Sequence, residues 1–431
     1  MSYRPWGRLQ PAATLVRETA ADPDVTSWNR PSLPFGNGRS YGDVCMNGEG
    51  ELLAFRNARR ILAFDAETGV LRAEGGTLLS EILDLVVPHG WFLPVTPGTK
   101  LVTLAGAIAN DVHGKNHHVV GTFGRHVAAF ELLRSDGERR VCTPDDAEPW
   151  FAATVGGLGL TGLITWAEIR LVPITGRGMR VATHRFRNLE EYHDRSAEVD
   201  AGHDYTVAWI DCLSRGDALG RGRLMAGNHA EAEEQRPFSP GRALNFFVQP
   251  PISLINRLSL RAFNALYYRL PAKETAIVDF DPFFYPLDSI HNWNRMYGPK
   301  GFFQFQCVVP PEVGREAIRE LLLQVGRVGS GSFLVVLKHF GDLASPGLMS
   351  FPRPGPTLAL DLPNRGSATR RLMASLEAVT MEAGGALYPA KDACMSPATF
   401  EASYPCWREL EALRDPGFDS DFWRRVTGSN R

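Results

Sequence analysis

Chemistry needs ionisable side chains held beside something flat or charged. One stretch of this 431-residue chain offers both. Residues 94–118 read PVTPGTKLVTLAGAIANDVHGKNHH. The small residues Ala105, Gly106, Ala107 and Ala109 let backbone approach a ligand closely. His113, Gly114, Lys115, Asn116, His117 and His118 follow at once. Polar and titratable groups beside such a surface can orient a substrate and move a proton. Taken singly, these residues equally fit a tight loop feeding a buried helix, with histidines on the surface. Two other glycine-rich stretches favour a site for the whole.

The first is PFGNGRSYGD, residues 34–43. Gly36, Gly38 and Gly42 suit a turn whose successive N–H groups form an anion nest, and Arg39 adds a permanent cation. An ordinary Gly/Asn surface turn reads as well from the motif alone. The second is GLGLTG, residues 157–162, which matches G-x-G-x-x-G. The dinucleotide fingerprint needs a helix after the glycines. Here ITWAEIRLVP follows, alternating Ile169 and Leu171 with Glu168 and Arg170, which predicts a strand. The dinucleotide reading is therefore rejected, and a glycine loop against a flat ligand or a neighbouring strand remains. His113, His117 and His118 lack a carboxylate at helical ligand spacing, so no metal is expected. No G-x-S-x-G elbow occurs and no cysteine has an activating context.

These pieces must be positioned by the surrounding elements. A helix is predicted from about Leu78 to Val87, with Thr77 as its cap and Pro88 as its stop. Residues 126–144 read as a hairpin turning at Asp136-Gly137. Strands are predicted at 205–213, 301–310, 331–341 and 356–363. Helices are predicted from about Pro311 to Val325 and after a Ser367 cap, the latter ending at Gly384-Gly385. Strands with long helices suggest a sheet covered on one face by helices, an α+β arrangement. Residues 244–271, LNFFVQPPISLINRLSLRAFNALYYRLP, are apolar and aromatic, with Arg257, Arg261 and Arg269 and no acid. They read first as a core segment. The alternative is a flap, or a surface touching a membrane or lipid tail.

Composition bounds the rest. The chain is 44% hydrophobic and 22% charged, typical of a globular protein of one or two domains. Lys plus Arg is 46 against 48 Asp plus Glu, which argues against a nucleic-acid-binding surface. Six widely spaced cysteines without a CxxC pair suit reduced thiols. The N-terminus has no apolar signal-like run. A cytoplasmic protein, or one peripheral at a membrane, is expected.

GNGRSYGD, PVTPGT with GAIA and HGKNHH, ATVGGLGLTG, FYPLD with WNRMYGPKGFFQFQ, and LYPAKD resemble the FAD-linked oxidases of the vanillyl-alcohol-oxidase superfamily. Within it they are most similar to the branch acting on polyprenyl-phosphoryl pentoses. The resemblance covers nearly the whole chain. It implies a two-part FAD-binding domain of the PCMH type from residues 1–172 and 386–431. A substrate domain, 173–385, lies between the parts, with an antiparallel sheet covered by helices. It assigns the FAD pyrophosphate to Pro34, Phe35, Gly36, Asn37, Gly38, Arg39, Ser40, Tyr41, Gly42 and Asp43. It assigns the flavin to Gly98, Thr103, Leu104, Ala105, Gly106, Asn110, Asp111, Val112, His113, Ile164 and Tyr388. Relatives that bond flavin covalently carry a histidine where this chain has Arg39. Guanidinium is no nucleophile at neutral pH, so FAD is expected to be non-covalent.

The implied reaction takes hydride from a secondary sugar carbon, a ribose 2′ position, as the first half of an epimerisation to the arabinose form in cell-wall arabinan synthesis. A short-chain NAD(P)-dependent keto-reductase would be the partner. Catalytic roles fall by the resemblance on Lys391, His113, Gln306 and Lys338. Lys391 would serve as base or would offset charge on reduced flavin. Lys391 by itself reads as a surface lysine paired to Asp392. Substrate contacts fall on Lys115, Trp209, Gln304, Gln306, Lys338, Thr357, Ala359 and Lys391. Gln304 and Gln306 share a strand face by period two. Lys338 in an apolar strand needs a pocket or a phosphate. Tyr297 reads as core. Two positions depart from the branch: a pocket cysteine falls on Ala359 and an asparagine on Thr357. A soluble sugar, alditol or nucleotide sugar is the alternative substrate, and a flavin-free binding protein the alternative of a different class.

Overall fold

The computed structural model describes residues 3–428 apart from 14, 21, 26, 27, 29, 239–242, 272 and 273. Three larger sheets carry the chain, and their mixture with packed helices is α+β. Near the N-terminus, strands Val16–Glu18, Glu51–Ala54 and Ser32–Phe35 lie parallel in that order. Five antiparallel strands follow, ordered Ile61–Asp65, Val70–Glu74, Leu163–Arg170, Val127–Leu133 and Arg139–Cys142. The last hairpin turns where expected, with Gly137 at φ 92°, a value that favours glycine. GLGLTG leads into the strand Leu163–Arg170 rather than a helix.

The helix Leu79–Val86 buries Leu79, Ile82, Leu83 and Val86. Its start corrects the expected Thr77 cap. Leu78 is the capping residue, and Glu81 reaches back to accept from the Leu78 N–H at 2.9 Å. Pro88 does not stop the chain's winding; a 3-10 turn continues over Val87–His89 and Gly90 ends it in the left-handed region.

The largest sheet has eight antiparallel strands. Their order is Ala276–Asp279, Gly178–Phe186, Gly222–His229, Tyr205–Ile210, Val335–Phe340, Gly355–Pro363, Phe302–Val308 and Ala386–Leu387. Strand alternation decides what each face presents. Phe303, Phe305, Cys307, Leu337, Leu358, Leu360 and Leu362 face the core built with helices Gly314–Val328 and Ser367–Glu382. The alternate residues Gln304, Gln306, Lys338, Thr357 and Ala359 face the opposite way, into a cavity. Gly366, not Ser367, precedes the second helix as its cap.

The tail returns to the beginning of the chain. Phe400, Phe422 and Trp423 share a core with Leu33, Phe35 and Leu52. Arg425 binds Asp43 at 2.7 and 2.8 Å and Asp392 at 2.9 Å.

Segment 244–271 is the main correction. It is not core. Its helix Arg257–Arg269 buries only Leu260 and Asn264, while Phe247, Val248, Ile252, Leu258 and Leu266 are among the most exposed apolar side chains described.

Candidate active site

A cavity of about 570 Å³ opens between the glycine-rich loops and the polar face of the large sheet. Most of the expected residues meet on its wall. From the first loop come Pro34 to Tyr41. From the central stretch come Gly98, Thr103, Ala105, Gly106, Asn110, Val112, His113 and Lys115. Ile164 and Tyr388 join them, as do Trp209, Gln304, Gln306, Lys338, Thr357, Ala359 and Lys391.

Four expected residues are placed off the wall. Leu104 is fully buried in the core beneath the short helix Leu104–Ala109. Asp111, also fully buried, accepts from the Gly124 N–H at 2.8 Å and the Ser350 hydroxyl at 2.5 Å. Its carboxyl is pushed up to about 6 by burial. Asp43 turns to Arg425. Gly42 packs so tightly that a Cβ there would land on the Asp392 carbonyl oxygen. Tyr297 is core as expected, stacked on Phe302 with ring centroids 4.1 Å apart.

His113 is the hub of one network. Its Nδ1 lies 2.9 Å from Lys338 Nζ and its Nε2 lies 2.9 Å from the Gln306 amide. Lys338 also donates to the Gly114 carbonyl oxygen, and Gln306 donates to Thr357 Oγ1 at 3.2 Å. Burial and then the Lys338 charge hold His113 well below the usual histidine range, so the ring is neutral. Lys338 is itself pushed down to about 7, by burial first and then by Lys115 and Lys391. Lys115 falls to about 7 through burial alone, its ammonium donating to the Phe283 and Phe284 carbonyls at 2.6 and 3.1 Å.

A second network holds Lys391. Its ammonium lies 4.2 Å from the centroid of the Tyr41 ring. Burial pushes the amine down to about 8, and the Asp361 carboxylate opposes that. Asp361 accepts from Gln304 Nε2 at 2.7 Å and from the Tyr297 hydroxyl at 3.4 Å. Its own carboxyl is pushed up to about 7 by burial. Lys391 is thus no surface lysine, and Asp392 is taken by Arg425 instead. Asp361 was missed from the sequence. The signal was there, since it continues the period-two face of Thr357 and Ala359.

The wall suits a large flat cofactor. Arg39 Nε, Asn110 Oδ1 and Gln304 Oε1 are buried without a hydrogen-bond partner among the described residues. Such groups are costly unless a ligand completes them. Gly98 has nothing within 4 Å of where a Cβ would sit, leaving open space over its backbone. Arg39 lies 4.2 Å from the centroid of the Trp6 ring, which fixes its cationic end at the loop. A cation held at the loop, unpartnered side-chain atoms and open space over Gly98 fit FAD.

Comparison with known proteins agrees. The FAD binding domain family matches residues 24–143. Decaprenylphosphoryl-β-D-ribose oxidase of Mycolicibacterium smegmatis is 34% identical over 98% of this chain and 96% of its own. The chain belongs to this oxidase family. An uncharacterized protein of Streptomyces coelicolor is likewise 34% identical, over 81% of this chain and 99% of its own. Human Delta(24)-sterol reductase is 31% identical over only 27% of this chain and 23% of its own. The protein is an FAD-dependent oxidoreductase of the oxidase class.

Proposed function

We propose that this oxidoreductase removes hydride from the 2′ carbon of a polyprenyl-phosphoryl ribose, giving the keto sugar that begins an epimerisation to the arabinose form. The supporting observation is a cavity whose wall carries three lysines, Lys338 buried and Lys115 and Lys391 half-buried, and which reaches the apolar helix Arg257–Arg269 at Phe263 and Tyr267. Lysines suit the phosphoryl group and the apolar mouth suits its lipid. The relative named above bears a substrate of this class in its name.

Residues 1–172 and 386–431 would bind FAD without a covalent link, and 173–385 would bind the sugar. Bound FAD supplies the hydride acceptor. Lys391, partly neutral near pH 8, takes the hydroxyl proton. Gln304, held by Asp361, presents its free Oε1 toward the sugar. Gln306 and the neutral His113 orient the reacting hydroxyl, and Lys338 holds them through His113 Nδ1. Trp209, whose Nε1 donates to the Phe333 carbonyl, offers its ring face as a wall. Lys115, Thr357 and Ala359 complete the substrate contacts, with no thiol at 359 for an electrophile to bond. A short-chain NAD(P)-dependent reductase would consume the ketone.

The test is anaerobic bleaching of the flavin band on adding polyprenyl-phosphoryl ribose, beside a panel of soluble pentoses and alditols. Bleaching by the lipid-linked sugar alone is expected. Bleaching by a soluble sugar alone would keep the oxidase chemistry and reject this substrate.

A further inference from the structure

Among the described residues, nine of the fifteen exposed large apolar side chains fall between Leu244 and Leu270. No helix among the described residues is long and apolar enough to cross a membrane, so these side chains do not belong to a spanning helix. Phe247 is 77% exposed, Val248 75% and Leu258 79%. An apolar concentration of this kind marks an interaction surface.

The surface is built rather than loose. Its helix Arg257–Arg269 keeps Leu260 inside but turns its other leucines outward. Asn264 also faces inward and donates to Asp211 Oδ1 at 2.7 Å, whereas Leu258 and Leu266 face out. A helix lying against water would place its leucines inside. Asn256 caps its start, accepting from the Leu258 and Ser259 N–H groups at 3.0 and 3.1 Å. The preceding loop is clamped by cations. Arg295 donates to the Phe246 and Phe247 carbonyls at 3.1 and 2.7 Å, and Arg8 donates to the Gln249 side chain. These bonds hold the Phe247 backbone while its side chain points to solvent.

The charge carried by the segment itself has one sign. Arg257, Arg261 and Arg269 are exposed on the helix and make no ion pair among the described residues. Arg8, beside Arg4 and Arg295, is likewise unpaired, and burial with those two cations disfavours its charge. No acidic residue occurs from 244 to 271. Apolar side chains fringed by arginines match one partner: a bilayer with anionic headgroups.

We propose that residues 244–270 dock this protein on an anionic lipid surface. Phe247, Val248, Ile252, Leu258 and Leu266 enter the acyl boundary, and Arg257, Arg261 and Arg269 lie among the headgroups. Phe263 and Tyr267 line the cavity from the same helix, so docking turns the cavity mouth toward the bilayer. A lipid-linked sugar then reaches the lysines without its tail crossing water. This deepens the lipid-linked reading above, but binding to a bilayer is measured without any substrate.

The experiment is co-sedimentation of the FAD-loaded protein with phosphatidylcholine vesicles, with and without phosphatidylglycerol. Stronger binding is expected to the anionic vesicles. Arg257→Gln, Arg261→Gln and Arg269→Gln together should weaken it by about a hundredfold, since each cation near such a surface is worth about a fivefold change. Phe247→Ser, Leu258→Ser and Leu266→Ser together should reduce binding to both vesicle types at least tenfold. All six residues are on the surface, so retention of the flavin band reports that the fold is intact. Wild-type protein that stays in the supernatant with both vesicles would overturn the proposal. So would reversible dimerisation abolished by the serine substitutions, which would make a second copy the occupant. Bilayer binding without bleaching by the lipid-linked sugar would leave the docking intact and reject the substrate.

Discussion

Lys391 is caught between two opposed influences: burial strips its proton and Asp361 keeps it. Asp361→Asn removes the second. The amine, near 8 in the wild type, should then titrate lower by about one pH unit. With Lys391 as the base proposed above, the rising limb of flavin bleaching against pH should move down with it. A limb that does not move would show that Asp361 only packs. Lys338 allows a stability test. Its folded value near 7 lies below the value of about 10.4 for an unfolded lysine. Below pH 7 both states hold the proton and the folded state bears the full cost. Between 7 and 10 only the unfolded chain holds it, so stability from this group rises with pH. Lys338→Met should therefore raise the Tm of the ligand-free protein at pH 6 and change it little at pH 10. Thermal melts at both values would check this.

At the scale of elements, period and punctuation carried most of the sequence reading. Gln304 and Gln306 were placed on one strand face by alternation, and the structure puts both on the cavity wall. The hairpin at Asp136-Gly137 and the strand after GLGLTG were equally legible, because each has a local signal. Segment 244–271 was not, because an apolar run is the same in a core and on a lipid-facing surface; only tertiary placement separates them. Leu104 and Asp111 were assigned to the flavin by position in a motif, and their side chains turn the other way. Gly42 shows how closely two elements can be fitted. Its missing Cβ admits the Asp392 carbonyl, and its φ of −109° is ordinary, so space is the constraint rather than conformation. Gly42→Ala should push the first loop off the 391–392 turn, lower the Tm and release FAD. Flavin retained at wild-type stoichiometry through gel filtration would contradict that fit.

Across the whole molecule, the first glycine loop and the last helix depend on one guanidinium. Arg425 sits in the helix Asp421–Thr427 and reaches Asp43 at the end of the loop and Asp392 beside Lys391. Both carboxylates are buried. Two buried anions held together by one cation are stable only as a set, and removing the cation leaves them uncompensated. Burial already pushes Asp392 up, with Arg425 as the chief opposing influence. Arg425→Ala should thus cost about 3 kcal/mol, seen as a Tm lower by roughly 5 °C. The sign of its pH dependence separates lost charge from lost packing. Without Arg425 the buried Asp392 carboxyl is pushed further above its unfolded value, so protonating it favours the folded state and the deficit shrinks as pH falls from 8 to 5. A deficit constant with pH would assign Arg425 to packing. Arg425→Lys keeps the charge but not the two-pronged geometry that spans both carboxylates. It should recover part of the stability while Lys391, one residue from Asp392, stays mispositioned and bleaching stays slow.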